Sequence, residues 1–269
     1  MINGEINELL PATDRGLHYG DGVFETIAVI NGRPTLWQAH MERLQCGCKL
    51  LGIPLPDLQQ LHEEATSLCS SEERVVLKLM ITRGSGGRGY RPPQDALLQR
   101  ILFRYPWPDS PDLSLGIQLR VCQTPLACNP ALAGIKHLNR LEQVLARAEW
   151  DDPAIHEGLM CDLDGRVKEG TMSNLFWVED SQLFTPDLSR CGVAGVMRAQ
   201  VMALARDLGI RVSTAEIHPE ELVQMDEIFI TNSLIGIWPV GRFAGRNFSS
   251  GELTRGLQSV LQTKLEELE

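Results

Sequence analysis

The chain has 269 residues, 43% hydrophobic and 22% charged, with a formal net charge of −10. This is soluble globular composition, enough for one large or two medium domains. The acidic balance and the absence of a basic run argue against a nucleic-acid binder. No apolar run approaches membrane-spanning length, and the N-terminus MINGEINELL lacks the basic start and apolar core of a secretion signal. Seven cysteines, an odd number, point to reduced thiols and a cytoplasmic home. Cys46 and Cys48, two apart in a helical pattern, read as small core fillers, and no metal site is expected.

In chain order, residues 1–10 read as a strand and 11–22 as the turn-rich PATDRGLHYGDG. VFETIAVI (23–30) reads as a strand, and Asn31-Gly32 as a tight hairpin turn into 33–37. Helices are expected over 38–51 and 57–69, then an apolar strand over 75–82 that runs into RGSGGRGY at 83–90. A strand at 98–105 and the breaker PWPDSP at 106–111 follow. The pattern sets a smaller N-terminal α+β domain at 1–105, a linker at 106–114 and a larger C-terminal α+β domain at 115–269.

The second half opens with a strand at 115–122 and the segment AGIKHLNRLEQVLARAEW at 133–150. That segment reads as an extended lead-in and then a helix burying Leu138, Leu141, Leu145 and Ala148. Asp164-Gly165 is a hairpin signal between strands at 158–163 and 166–169, and a second strand pair spans 175–178 and 182–185. A helix at 196–208, a strand at 210–215, a short helix at 219–223, strands at 228–231 and 236–241 and a helix at 251–268 complete the chain. Strands and helices mix without regular βαβ alternation, so the class is α+β. No GxGxxG links a strand to a helix, which leaves a dinucleotide fold without support.

Lys136 sits at the Gly134-Ile135 junction before the helix of this segment; by itself it reads as a solvated charge, and only partial burial there would make it an amine nucleophile or base. Glu169 ends the second hairpin arm, as a strand-edge carboxylate or as the partner of a protonated ring nitrogen. Arg43 lies on the 38–51 helix and by itself reads as a surface arginine. GVAGVMR (192–198) runs from a glycine-bearing turn into a helix N-terminus, which favours a phosphate. Thr231-Asn232-Ser233 adds hydroxyl donors after a strand.

Together these segments carry a resemblance. HYGDGVFET, HMERL, RGSGGRGY, GIKHLNRLEQ, VKEGTMSNLF, GVAGVMR and ITNS make the chain similar to the fold-type IV pyridoxal-phosphate enzymes. These comprise branched-chain aminotransferases, D-amino-acid aminotransferases and aminodeoxychorismate lyases. The resemblance implies two α+β domains with the cofactor site between them, a homodimer and a small-molecule substrate. It further implies that Lys136 forms the Schiff base with pyridoxal phosphate and that Glu169 binds the pyridine nitrogen. Arg43, the backbone N–H groups of Val196 and Met197, and Ser233 are then the phosphate ligands. Some relatives have a threonine where Met197 stands, so one side-chain contact is missing here. His18, Tyr19 and Asp21 belong near the site or the dimer interface, with His18 in a packing or hydrogen-bonding role.

Within the family, KHLNRLEQVLAR and RGSGGRGY look most like the aminodeoxychorismate lyases. D-amino-acid aminotransferases clamp the substrate carboxylate with an arginine and a histidine two apart; here Arg88 fits the arginine, but Tyr90 replaces the histidine. Thr26 stands where those aminotransferases carry an apolar residue. Leu141 occupies the region where a branched-chain enzyme carries a tyrosine. The implied reaction converts 4-amino-4-deoxychorismate to 4-aminobenzoate and pyruvate, a step toward folate. Lys136 takes the proton at ring carbon C4 and Thr26 donates one to the departing enolpyruvyl unit, unless Thr26 is only a β-favouring strand residue. Arg88 is the first candidate partner for a substrate carboxylate, Tyr90 lies beside it, and Arg83 and Arg91 follow. The loop's glycines allow it to close over a ligand. The alternatives are a D-amino-acid or branched-chain aminotransferase and, in a different class, a catalytically silent relative.

Overall fold

A computed structural model describes residues 1–70 and 73–266; positions 267 and 268 of the expected C-terminal helix lie outside them. The chain divides into two compact units. One takes Met1–Pro108 with Ile135–Asn139, and the other takes Asp109–Gly134 with the described part of Arg140–Glu267.

The first unit contains α1 (Arg15–Tyr19), β1 (Gly22–Ile30), β2 (Arg33–Pro34), α2 (Trp37–Leu51), α3 (Leu58–Cys69), β3 (Arg74–Thr82) and β4 (Gln99–Pro106). Its antiparallel sheet has the order β2-β1-β3-β4. Asn31 and Gly32, at φ 51° and 74°, make the turn whose twist matches the flanking strands. On β1, Val23, Ile27 and Val29 pack with Met41 and Leu44 of α2, while Phe24 and Thr26 occupy the opposite face. Asp57 caps α3 by accepting from the N–H groups of Gln59 and Gln60.

Three expectations are corrected here. Residues 1–10 form no strand: Asn3 and Gly4 have φ 51° and 87°, which turns the chain after a bridge from Ile2 to Ile101. The turn-rich 11–22 segment contains helix α1, capped by the Asp14 side chain on the Gly16 N–H. Of the pair Cys46 and Cys48, Cys46 is exposed and Cys48 fills the core, where burial pushes its thiol up to about 12.

The second unit contains β5 (Ile117–Val121), α4 (Leu141–Arg147), β6 (Glu157–Cys161), β7 (Val167–Gly170), β8 (Asn174–Glu179) and β9 (Gln182–Pro186). It continues with α5 (Val196–Asp207), β10 (Val212–Ala215), α6 (Pro219–Leu222), β11 (Glu227–Asn232), β12 (Gly236–Phe243), β13 (Arg246–Asn247) and α7 (Glu252–Glu266). The sheet order is β10-β9-β8-β11-β12-β5-β6-β7, with β13 on β12. A return pairing of β7 with β8 closes β8, β11, β12, β5, β6 and β7 into a ring. Sheet residues such as Leu119, Leu159, Leu175, Trp177 and Ile230 form its core. Antiparallel and parallel pairings mix, without the regular βαβ alternation of a doubly wound sheet.

Helix α4 does not bury the expected face. Leu141, Val144 and Leu145 are 76%, 60% and 60% exposed, whereas Ala146 is buried in a cluster with Cys122, Met160 and Trp150. A two-turn helix needs only Ala146 and the following Trp150 to seat it, so its apolar stripe points outward. Leu138 lies before the helix, and its N–H donates to the Gly22 carbonyl at 3.0 Å.

Candidate active site

In the first unit, the segment holding Lys136 lies antiparallel along the start of β1. The Phe24 N–H donates to the Lys136 carbonyl at 2.9 Å, and Val23 faces His137. This register sets the half-buried Lys136 amine over an aromatic face, with Nζ 4.5 Å from the Phe24 ring centre. Lys78 Nζ lies 5.4 Å from the same ring, and Lys78 pairs directly with Thr26 across β1 and β3. Thr26 is two residues beyond Phe24 and shares its face. One face of one sheet therefore carries two amines and a hydroxyl. Sequence reasoning missed Lys78, although a lysine in the apolar run VVLKLMIT is the signal that marks it.

Arg43 is not a free surface arginine. Its Nε donates to Glu25 Oε1 at 2.8 Å, and Nη2 donates to Glu25 Oε2. His40 Nδ1, one helical turn earlier, lies 2.6 Å from the same Oε2. Burial pushes the Glu25 carboxyl up, but the Arg43 charge and hydrogen bonds, with help from His40, outweigh it and hold Glu25 below its ordinary range. An ionised Glu25 makes His40 Nδ1 the donor. Glu25 and His40 were also missed; the signal was a carboxylate inside an apolar strand, with His40 and Arg43 three apart on a helix.

Arg83 is removed from the substrate-binding candidates. It donates to both Asp21 oxygens at 2.7 and 3.0 Å and to the carbonyls of Leu51 and Gly52 at 2.6 and 2.7 Å. Those bonds consume a buried guanidinium as a tie between β3, α2 and Asp21. Burial raises the Asp21 carboxyl, yet Arg83 and then Arg15 bring it below its ordinary value. The glycine-rich loop is anchored as well as glycine-rich. Arg15 donates to the carbonyls of Gly89 and Tyr90 at 3.0 Å each, and the Gly89 N–H donates to the Tyr19 hydroxyl at 3.3 Å. Arg88 and Arg91 are exposed on this loop. Tyr90 is 85% exposed, with its ring edge against Tyr19. His18 Nε2 lies 2.7 Å from the Ala12 carbonyl, a structural bond.

In the second unit, Glu169 is buried on β7 and its Oε2 accepts the Val193 N–H at 2.7 Å. Asn174 donates to the Val193 carbonyl at 2.9 Å, so both backbone polar groups of Val193 are held. Gly195 then caps α5 without a side-chain bond; a Cβ there would come within 2.0 Å of Asn174 Oδ1. The first N–H groups of α5, from Val196 and Met197, have no partner within the helix. Ser233 is half-buried in the β11–β12 turn. There Asn232 Oδ1 accepts from Leu234 and Ile235, and Asn232 Nδ2 donates to the Met172 carbonyl at 3.1 Å. The Thr231 hydroxyl is spent on the Gly236 carbonyl at 2.6 Å, which removes it as a ligand donor.

Beneath these turns lies Glu157, a buried carboxylate that sequence reasoning missed. It accepts from the N–H groups of Gly158, Thr171 and Met172 and the hydroxyls of Thr171 and Ser173, at 2.6 to 3.2 Å. The turn between β7 and β8 is thereby fixed just after Glu169. Each unit by itself carries groups of the kind pyridoxal phosphate takes: an amine beside an aromatic ring and an arginine in the first, a buried carboxylate and a helix N-terminus without a side-chain cap in the second.

Comparison with known proteins agrees with this chemistry. Residues 22–243 match the amino-transferase class IV family. The chain is 40% identical to an aminodeoxychorismate lyase of Vibrio harveyi, covering 97% of this chain and 99% of that protein. The crystal structure of 4-amino-4-deoxychorismate lyase from Pseudomonas aeruginosa superposes with a TM-score of 0.94 at 47% identity, covering 99% of each chain. A hypothetical aminotransferase from Mycobacterium tuberculosis, in its PLP-bound form, shares the fold at a TM-score of 0.82 and 20% identity over 98% of this chain and 95% of that one. The architecture is that of the fold-type IV enzymes, and the chain belongs to the amino-transferase class IV family.

Proposed function

We propose that this chain is an aminodeoxychorismate lyase, a pyridoxal-phosphate enzyme that converts 4-amino-4-deoxychorismate to 4-aminobenzoate and pyruvate. The observation that carries the reading is the Lys136 amine and the Thr26 hydroxyl on one face of β1, in a chain that closely matches lyases over its whole length. An amine to remove a proton and a hydroxyl to supply one are what an elimination needs.

Lys136 would hold the cofactor covalently, and its amine, once free, would take the proton from ring carbon C4. When bound, the cofactor would supply the sink for the electron pair left behind. Glu169, with one oxygen fixed by the Val193 N–H, would hold the pyridine nitrogen in its protonated form. Arg43, the N–H groups of Val196 and Met197, and the Ser233 hydroxyl would hold the phosphate. Thr26 gives its proton to the enolpyruvyl oxygen as the carbon–oxygen bond breaks. Aromatisation of the ring drives that step, and the released enol becomes pyruvate. Arg88, with Tyr90 beside it, and Lys78 opposite Thr26 supply the partners for the two substrate carboxylates.

A homodimer belongs to this reading, and the outward apolar stripe Leu141, Val144 and Leu145 of α4 supports it. A cytoplasmic home is supported by seven cysteines that are all thiols. No described helix is long and apolar enough to cross a membrane.

The test supplies cofactor-loaded protein with 4-amino-4-deoxychorismate and no keto acid. Equal amounts of 4-aminobenzoate and pyruvate are expected, and D- or branched-chain amino acids with 2-oxoglutarate should give little keto-acid exchange. A cofactor-loaded protein that forms neither product, or that requires a keto acid, contradicts the assignment.

A further inference from the structure

We infer that Glu25 is a positioning residue for the cofactor phosphate, acting through Arg43. This rests on the reading above that Arg43 is a phosphate ligand. Glu25 and Thr26 are consecutive on β1 and so face opposite sides of the sheet. Thr26 shares its face with Phe24 and the Lys136 amine, and Glu25 turns into the layer beneath α2. The carboxylate is fully buried, takes both a Nε and a Nη2 bond from Arg43, and is itself braced by His40 Nδ1 at 2.6 Å. A guanidinium gripped along one edge by a fixed carboxylate has its plane and its reach preset before any ligand arrives.

The sign of the charge makes the role specific. A carboxylate beside a phosphate-binding arginine opposes phosphate binding electrostatically, so Glu25 does not act as an attracting charge. Its contribution is orientation. Removing the charge while keeping the shape therefore separates the two effects: loss of orientation weakens phosphate binding, and relief of repulsion tightens it.

The experiment measures dissociation constants of the apoenzyme for pyridoxal phosphate and for pyridoxal, which lacks the phosphate. It compares the native protein, Glu25→Gln, Arg43→Gln and the double variant, each checked for native circular dichroism. Positioning through Arg43 predicts that Glu25→Gln weakens pyridoxal phosphate roughly tenfold, the scale of a single charge-assisted hydrogen bond. Pyridoxal binding should stay within about twofold, and Glu25→Gln should add nothing in the Arg43→Gln background. Should Glu25→Gln fold poorly, Glu25→Asp withdraws the carboxylate by one methylene and carries the same expectation. Unchanged or tighter binding in the Glu25 variant, with weaker binding in Arg43→Gln, overturns this inference alone. Equal losses for both ligands overturn it in favour of a purely structural role. An Arg43→Gln variant that binds pyridoxal phosphate normally removes the underlying phosphate reading.

Discussion

The two units hold their functional groups by different means. In the first, arginines are gripped by carboxylates: Arg43 by Glu25, and Arg83 and Arg15 by Asp21. In the second, carboxylates are gripped by backbone N–H and hydroxyl donors: Glu169 by Val193, and Glu157 by the turn from Thr171 to Ser173. Paired charges orient a side chain strongly but depend on both partners keeping their ionisation. A carboxylate ringed by N–H groups orients backbone, and turns held in this way depend on the acceptor remaining in place.

Four changes probe that contrast, from the largest effect to the smallest. Lys136→Ala takes the base from the first unit and should lower turnover by about 10⁴-fold while leaving the fold unchanged, as product assays and circular dichroism will report. Glu157→Ala strands several buried donors in the second unit and should destabilise it by about 3 kcal/mol in urea unfolding. A loss below about 1 kcal/mol would mean that the β7–β8 turn holds itself. Arg88→Ala touches neither network and should raise KM by roughly tenfold with kcat nearly unchanged, the signature of lost uniform binding.

The smallest effect is the response to acid. Glu25 and Asp21 both titrate below their ordinary values of 4.5 and 3.8 in the folded protein. A depressed carboxylate contributes stability that is complete above its ordinary value and is lost as the pH falls through the lower folded value. Stability should therefore decline as the pH drops below those ordinary values, and Glu25→Gln should flatten the decline. An equally steep decline in that variant would show that Glu25 does not carry it.

Much of the scaffold is readable because local chemistry and tertiary context agree. The alternation in VFETIAVI, the Asn31-Gly32 turn and the Asp164-Gly165 turn all lead to the strands and hairpins observed. Helical periodicity over Leu138, Leu141 and Leu145 identified an apolar stripe but carries no information on which side the core lies, and that stripe faces outward. Arg83 illustrates the same limit for charge, since spacing cannot reveal that Asp21 and two carbonyls will consume it. Glu25 and His40 left a trace in the sequence, a carboxylate inside an apolar strand and a histidine one helical turn from Arg43, but Glu157 was illegible because a buried carboxylate depends on donors far away in sequence. Glu157 and Ser173, for example, are 16 residues apart.

The division of labour between Lys136 and Thr26 is the centre of the account, and isotope exchange tests it most directly. Thr26→Val would be incubated with 4-amino-4-deoxychorismate deuterated at C4, and the unreacted substrate recovered after partial turnover. If Lys136 removes the C4 hydrogen and Thr26 protonates the leaving group, deuterium will wash out of the recovered substrate while formation of 4-aminobenzoate and pyruvate falls. Undiminished product formation, or a loss of exchange equal to the loss of product, would contradict that division.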